Sequence, residues 1–395
     1  MVTQQQVAGG IFRTGFNDRR TQLFENLWPL PGGISYNSYV VVDQKCALID
    51  AMHTLAGGPF IESVEAILEG RKLDYLVINH MEPDHSGEIE QVLHLWPEAK
   101  IVGNKRTFSI LEAYFGRKDN LVEVGDGEVI SLGGRTLQFF LTPWVHWPET
   151  MMTFETTTGT LFSGDVFGMF GATEGGVFDD QVVIERYQSE ARRYFSNVVG
   201  KYSNMVQKAI EKLKPLPIKA ICPLHGLVWR ADPARIVGLY DRWSSYAADN
   251  AAVVIYGSIY GYTAQMADHI AYLLAGAGVK DIRVYDSSKT HLSYLIDEIW
   301  RCRGVVLGSC AYNTQMFPAM AHLTTELEHI GLKNRLLGLF GTFSWNGGGV
   351  RNLGIFAQNI GWEMVSDPVE IQGAPTPEKL APCAALASAM AARLR

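Results

Sequence analysis

The stretch Tyr75-Leu76-Val77-Ile78-Asn79-His80-Met81-Glu82-Pro83-Asp84-His85-Ser86-Gly87 sets two imidazoles and two carboxylates within six positions, directly behind a short apolar run. The apolar run reads as a buried strand, so the cluster falls on the loop at its C-terminal end, where α/β proteins place their chemistry. Histidine and carboxylate side chains at this density are the donor set of a metal site. The competing reading is a solvated polar loop entering a helix, with Asp84 or Ser86 as its N-cap.

Three later positions follow predicted strands in the same way. His146 comes after a strand over 137–142 and is flanked by Trp144 and Trp147. Asp165 ends Thr160-Leu161-Phe162-Ser163-Gly164-Asp165, and His225 lies in Cys222-Pro223-Leu224-His225-Gly226 after a strand over 218–222. Singly, each has a plain structural reading: a histidine packed among aromatics, an acid capping a turn, a histidine in a Pro/Gly turn. Their shared position behind a strand, as for His80, is poorly explained by chance. Around them, residues 9–50 alternate apolar runs with turns and read as antiparallel strands. Helices are expected near 59–69, 87–95, 186–213 (two) and 233–247, with a strand over 100–102 and several more between 121 and 162. Many strands with interspersed helices, and candidate ligands on the connecting loops, predict a four-layer αββα sandwich over residues 1–249.

The bulk properties agree with a large globular protein. A chain of 395 residues is long for one core, so two domains are expected. Apolar content of 47% with 19% charged describes a globular protein. A net charge of −7 argues against nucleic-acid binding, which needs a basic face. The five cysteines are scattered without a C-x-x-C pair, so neither a disulfide framework nor a thiolate metal centre is indicated. The N-terminus lacks a secretory pattern, and no stretch approaches the roughly eighteen apolar residues of a membrane span. A reducing cytoplasm is the expected compartment.

Beyond residue 249 strands and helices alternate: strands over 252–256, 282–285, 304–307, 335–340 and 363–365, with helices between them and an Ala-rich helix from about Pro377. Repeated β-α units imply a parallel sheet with right-handed crossovers. Five strands over residues 250–395 make the doubly wound order 2-1-3-4-5 the natural candidate. The first β-α turn, Ser258-Ile259-Tyr260-Gly261-Tyr262-Thr263, offers hydroxyls and backbone N–H groups to a phosphate at a helix N-terminus. It fits neither G-x-G-x-x-G nor G-x-x-x-x-G-K-[ST], which disfavours NAD and ATP. Gly308-Ser309-Cys310-Ala311-Tyr312-Asn313-Thr314 and Gly341-Thr342-Phe343-Ser344-Trp345-Asn346-Gly347-Gly348-Gly349 follow the third and fourth strands, at the same end of the sheet.

The pattern His80-x-Glu82-x-Asp84-His85, then His146, Asp165 and His225, resembles the metallo-β-lactamase-like domain of flavodiiron proteins. The turn at 258–263 resembles the FMN phosphate loop of flavodoxins, so the likeness extends over almost the whole chain. Zinc hydrolases of the same superfamily typically carry His where this chain has Glu82, and the added carboxylate suits iron better than zinc. The resemblance implies one iron on His80, Glu82 and His146, a second on Asp84, His85 and His225, and Asp165 bridging them. Three carboxylates against two ferrous ions leave a formal charge of +1, an electrophilic pair. It implies FMN held by residues 258–263, 309–314 and 344–348, with Tyr312 and Trp345 against the isoalloxazine. Pro is common in the family where this chain has Cys310, a thiol that would lie near the flavin.

The activity so implied is reduction of dioxygen to water, of nitric oxide to nitrous oxide, or both. No paired C-x-x-C motifs of a fused rubredoxin follow, so an external donor such as a rubredoxin or a cognate reductase is expected. A head-to-tail homodimer or dimer of dimers is implied as well. The alternatives are a metal-dependent hydrolase fused to a flavodoxin-like module, which Glu82 disfavours, and a non-catalytic FMN electron carrier. An RNA-processing enzyme of the metal-binding superfamily is disfavoured by the acidic charge.

Overall fold

Strand Ile34–Val41 is buried along its entire length and lies within a seven-stranded sheet in the first part of the chain. A computed structural model describes residues 2–395 and divides them into two compact units, residues up to 241 and 242–395. The expected junction at 249/250 falls at the start of strand Asp249–Gly257.

In the first unit the seven-stranded sheet runs in the order Val2–Ala8, Ile11–Asp18, Ile34–Val41, Ala47–Ile49, Tyr75–Val77, Lys100–Gly103, Leu121–Glu123. The early strands pair antiparallel, and those from Ala47–Ile49 onward pair parallel. A second sheet runs Val129–Ser131, Thr136–Leu141, Met151–Glu155, Thr160–Phe162, Ala220–Cys222. One core joins the two: Tyr39, Val41, Ile49, Val77 and Val102 of the first pack with Leu137, Phe139, Met151, Phe162 and Cys222 of the second. This is the ββ interior of the expected αββα sandwich. Helix Gly57–Leu68 packs on the antiparallel edge, burying Phe60, Ile61, Val64 and Leu68.

Three details differ from the sequence reading. Asp84 and His85 stand on a helical turn, Pro83–Ser86, and not on an open loop. Pro83 at the first helical position has its φ pre-set, and His85 and Ser86 donate to the Glu82 carbonyl. Strand Val2–Ala8 and helix Lys105–Phe115 were not expected. The helix starts at Asn104, whose side chain accepts from the backbone N–H groups of Arg106 and Thr107, while Thr107 Oγ1 accepts from Asn104 N.

The second unit carries a parallel sheet in the order Ile282–Asp286, Asp249–Gly257, Cys302–Tyr312, Leu336–Phe343, Glu363–Met364, which is 2-1-3-4-5. The fifth position is interrupted and resumes as Val369–Gln372 beside the end of the fourth strand. The third strand runs on through Tyr312, where a loop was expected, because Ala311 and Tyr312 pair antiparallel with Met316 and Gln315. The C-terminal helix is broken at Pro382 into Pro377–Leu380 and Cys383–Arg393. Leu386, Ala387 and Met390 of the longer piece join Met266, Ile270 and Leu274 of helix Tyr262–Gly276 in one core. Among the described residues no helix is long and apolar enough to cross a membrane.

Candidate metal centre and flavin loops

The seven candidate ligands converge at the C-terminal ends of the two sheets and are all buried. Local bonding explains the placement of each. Asp50, at the end of strand Ala47–Ile49, accepts from the backbone N–H of Asn79 (2.7 Å) and of His80 (3.1 Å) and so fixes the turn behind Tyr75–Val77. His146 sits in the connection between strands Thr136–Leu141 and Met151–Glu155, which Thr150 Oγ1 closes by donating to the carbonyls of Thr142 and Trp147. Asp165 follows Thr160–Phe162, where Ser163 Oγ donates to Val166 O at 2.7 Å. The turn carrying His225 is clasped by Asn37, whose Nδ2 donates to Pro223 O (2.9 Å) and Gly226 O (3.1 Å). At Gly226, with φ +82°, a Cβ would lie 2.2 Å from Met169 Cγ, so the turn demands glycine.

The donor atoms form two clusters, His80-Glu82-His146-Asp165 and Asp84-His85-His225. In the first, Glu82 Oε2 lies 3.2 Å from both His80 Nε2 and His146 Nε2, and Asp165 Oδ2 lies 3.1 Å from His146 Nε2. In the second, Asp84 Oδ2 lies 3.3 Å from both His85 Nε2 and His225 Nε2, and the two Nε2 atoms are 3.1 Å apart. Asp165 Oδ1 completes it, 3.0 Å from His85 Nε2. Donors arranged tetrahedrally around an ion at 2.0–2.1 Å sit about 3.3 Å apart. The spacing therefore suits two metal ions sharing the Asp165 carboxylate.

Electrostatics and unmet hydrogen bonds agree. Burial works against charge on His80, His85 and His146, yet the surrounding carboxylates outweigh it. His80, bonded to Glu149 and Glu82, is raised well above the ordinary range, and His146, bonded to Asp165 and Glu82, rises to about 9. Burial likewise opposes charge on Glu82 and Asp165, but the facing imidazoles hold both below the ordinary carboxylate range. Protons gathered by such a cluster are what a bound cation displaces. Among the described residues both oxygens of Asp84 lack a hydrogen-bond partner. Buried carboxylate oxygens without donors are costly unless a cation takes them.

Several contributors escaped the sequence reading. Glu149 Oε1 lies 2.8 Å from His80 Nδ1, and Ser35 O lies 3.0 Å from His225 Nδ1. A carbonyl only accepts, so Nδ1 of His225 carries the hydrogen and Nε2 presents its lone pair. Phe24, Tyr36 and Tyr194 pack their rings within 5.4–5.7 Å of the His225 ring, and Trp147 stands edge-on to His80 at 5.3 Å. Glu25 lines a pocket together with His53, Glu82 and Asp84, and desolvation against that pocket and the charge of Glu82 raise its carboxyl to about 7. His53, which matches no part of the ligand pattern, packs its ring 5.4 Å from that of Tyr36. A signal for Asp50 did exist, since it is another acid directly behind a strand.

In the second unit the three expected loops meet at one end of the sheet. Helix Tyr262–Gly276 has no side-chain cap, and Ser258 Oγ accepts from Gly261 N at 3.1 Å. The turn 258–263 thus leaves backbone donors at a helix N-terminus, a cradle for a phosphate. Thr263 and Thr342 hydroxyls meet at 2.8 Å, and a Cβ on Gly348 would lie 2.2 Å from Thr314 O, so the loops after the third and fourth strands abut. Trp345 is 87% exposed at this end of the sheet. Ser309 is tied inward, its hydroxyl donating to Cys310 O and accepting from Phe317 N. Burial pushes the Cys310 thiol up, away from a reactive thiolate.

A β-lactamase-like sandwich with a buried two-cluster metal site, followed by a flavodoxin-like sheet, defines a two-domain metalloflavoprotein. Residues 34–226 match the ODP family of beta lactamases and residues 254–386 match flavodoxin. The chain is 32% identical over 393 residues to the nitric oxide reductase of Moorella thermoacetica, covering 98% of both. It is 30% identical to the anaerobic nitric oxide reductase flavorubredoxin of Pectobacterium atrosepticum, over 84% of this chain and 66% of that protein. The rubredoxin oxygen:oxidoreductase of Desulfovibrio gigas superposes with a TM-score of 0.95 at 27% identity, over 99% of this chain and 98% of that one. This chain belongs to the flavodiiron proteins, a family of oxidoreductases. The flavodoxin fold implies FMN, and the buried His/Glu/Asp clusters suit a diiron centre.

Proposed function

We propose that this chain reduces dioxygen to water, nitric oxide to nitrous oxide, or both, at a diiron centre in residues 1–249, with electrons delivered through FMN held by residues 250–395. The observation that carries the reading is the divided reach of Asp165, with Oδ1 3.0 Å from His85 and Oδ2 3.1 Å from His146. His80, Glu82 and His146 would hold one iron, and Asp84, His85 and His225 the other, with Asp165 shared between them. When bound, two ferrous ions and reduced FMN supply up to four electrons, enough for dioxygen to water; coupling two nitric oxide molecules needs two.

The chain's own groups set the conditions. Glu149 and Ser35 fix the Nδ1 hydrogens of His80 and His225 and so turn both Nε2 atoms inward. The rings of Phe24, Tyr36, Trp147 and Tyr194 keep bulk water from the imidazoles. At the flavin, residues 258–263 would take the phosphate. Ser309, Cys310, Ala311, Tyr312, Asn313 and Thr314, with Ser344, Trp345, Asn346, Gly347 and Gly348, would border the isoalloxazine.

The names of the Moorella and Desulfovibrio relatives support both gases and an external donor, such as a rubredoxin or a cognate reductase. Five free, buried cysteines are consistent with a reducing cytoplasm. The family likeness supports a head-to-tail homodimer or dimer of dimers. The test is consumption of oxygen and of nitric oxide, in separate anaerobically prepared cells, by iron- and FMN-loaded protein kept reduced with an artificial donor. Turnover of either gas is expected, and the preferred gas identifies the role. A fully loaded sample that consumes neither overturns the reading.

A further inference from the structure

The two halves of the cluster carry equal formal charge from their own ligands, one carboxylate each plus a share of Asp165. What stands behind the imidazoles is not equal. His80 Nδ1 meets a carboxylate, Glu149 Oε1, at 2.8 Å, and both side chains are almost wholly buried. His225 Nδ1 meets only a neutral carbonyl, Ser35 O, at 3.0 Å. Among the described residues His85 Nδ1 has no hydrogen-bond partner.

Glu149 is also rigidly placed. The same Oε1 accepts from Met81 N at 3.0 Å, and the Glu149 main-chain carbonyl accepts from Asn104 Nδ2 at 2.6 Å. Asn104 is itself fixed as the cap of helix Lys105–Phe115. Glu149 Oε2 has no partner among the described residues, so no cation disperses the charge before it reaches the imidazole.

We infer that Glu149 is a positioning residue that makes the His80-Glu82-His146 half the tighter of two unequal metal subsites, and the Asp84-His85-His225 half the exchangeable one. An anion accepting from Nδ1–H raises the electron density of the ring and strengthens donation from Nε2 to a cation, and a neutral carbonyl does so less. Loss of such an outer partner typically weakens metal binding by about 10- to 100-fold. The inference rests on the cluster holding two metal ions.

The experiment is an anaerobic titration of the full chain, stripped of metal by chelation but retaining FMN, with cobalt(II), followed by ligand-field absorption. Wild type is expected to bind two ions in two resolved steps. His225→Ala should remove the weaker step and keep the tighter. Glu149→Gln, which keeps shape and an acceptor but not the charge, should weaken the tighter step by about 10- to 100-fold and leave the weaker unchanged. Glu149→Asp should recover part of the loss. Two equal sites in wild type, or an equal loss in both steps for Glu149→Gln, overturns the inference, as does loss of the tighter step in His225→Ala. A wild type that binds fewer than two ions overturns the two-metal reading itself. Should the Glu149 variants not fold, Mössbauer spectra of wild type titrated with iron-57 decide: one ferrous doublet that saturates at one equivalent before a second grows in supports the inequality, and signal from both sites growing together refutes it.

Discussion

Arg13 and Asn37 share a buried hydrogen bond, Arg13 Nε donating to Asn37 Oδ1 over 2.7 Å. Asn37 turns its amide hydrogens to the turn that carries His225, so a cation on one strand is linked through a side chain on the next to a candidate ligand. Arg13 reaches Gln5 Oε1 at 2.7 Å as well.

Asn37→Ala should therefore strand Arg13 Nε and the Gly226 carbonyl together, while the Pro223 carbonyl keeps its bond from the Tyr39 hydroxyl. A loss of about 2–4 kcal/mol follows from that many unmet buried groups. Urea unfolding monitored by tryptophan fluorescence checks the stability. Metal analysis should show the ion on the His225 side depleted first.

Asp165→Asn keeps one acceptor oxygen but removes the charge shared by the two clusters. Metal content should fall from two ions per chain toward one or none, and gas consumption should drop by about two orders of magnitude or more, as expected when a group acting on both halves is lost. Elemental analysis with the gas-consumption assay checks both. FMN content should not change, because the flavin loops belong to the other unit.

Leu386→Ala reports on the second unit alone. Leu386 is fully buried, and a Cβ on Gly338 would lie 3.1 Å from its Cδ2, so the helix rides directly on the sheet. Truncation should cost about 2–5 kcal/mol. Heating should release FMN at a lower temperature, read by flavin fluorescence, with little change in metal retention.

Glu155 gives a pH signature. Burial works against its charge, but hydrogen bonds from Thr158 and Thr157 outweigh it and hold its pKa below the usual 4.5. As pH falls, the unfolded chain takes the proton first. The stabilisation is complete above about 4.5 and is lost as pH drops through the folded value. Wild type should thus be more stable than Glu155→Gln at neutral pH, and the gap should narrow below that point. Urea midpoints at a series of pH values measure it.

Much of this was legible from one rule, that chemistry follows strand ends. His80, Asp165 and His225 lie directly behind buried apolar runs, and the β-α alternation after residue 249 gives the parallel sheet and its strand order. What stayed hidden depends on contacts distant in sequence. Ser35 acts through its carbonyl, which carries no residue signature, and Asn37 sits among polar residues of a strand. Glu149 and Asn104 meet only because two separate loops converge. Helix Lys105–Phe115 is mixed in polarity and buries only Thr107 and Leu111, so its apolar period is weak. Strand Val2–Ala8 is mostly polar because it lies at the sheet edge, where none of its residues is buried.

The convergence of ligands from distant parts of the first unit also bears on durability. Residues 80–85, 146, 165 and 225 come from both sheets, and their only covalent connection is the long chain between them. Ions held jointly by them act as a reversible crosslink, joining segments whose separation would otherwise be the first motion of unfolding. Losing metal and losing the fold then become linked steps, so stripping the ions should shorten the time for which the chain stays folded.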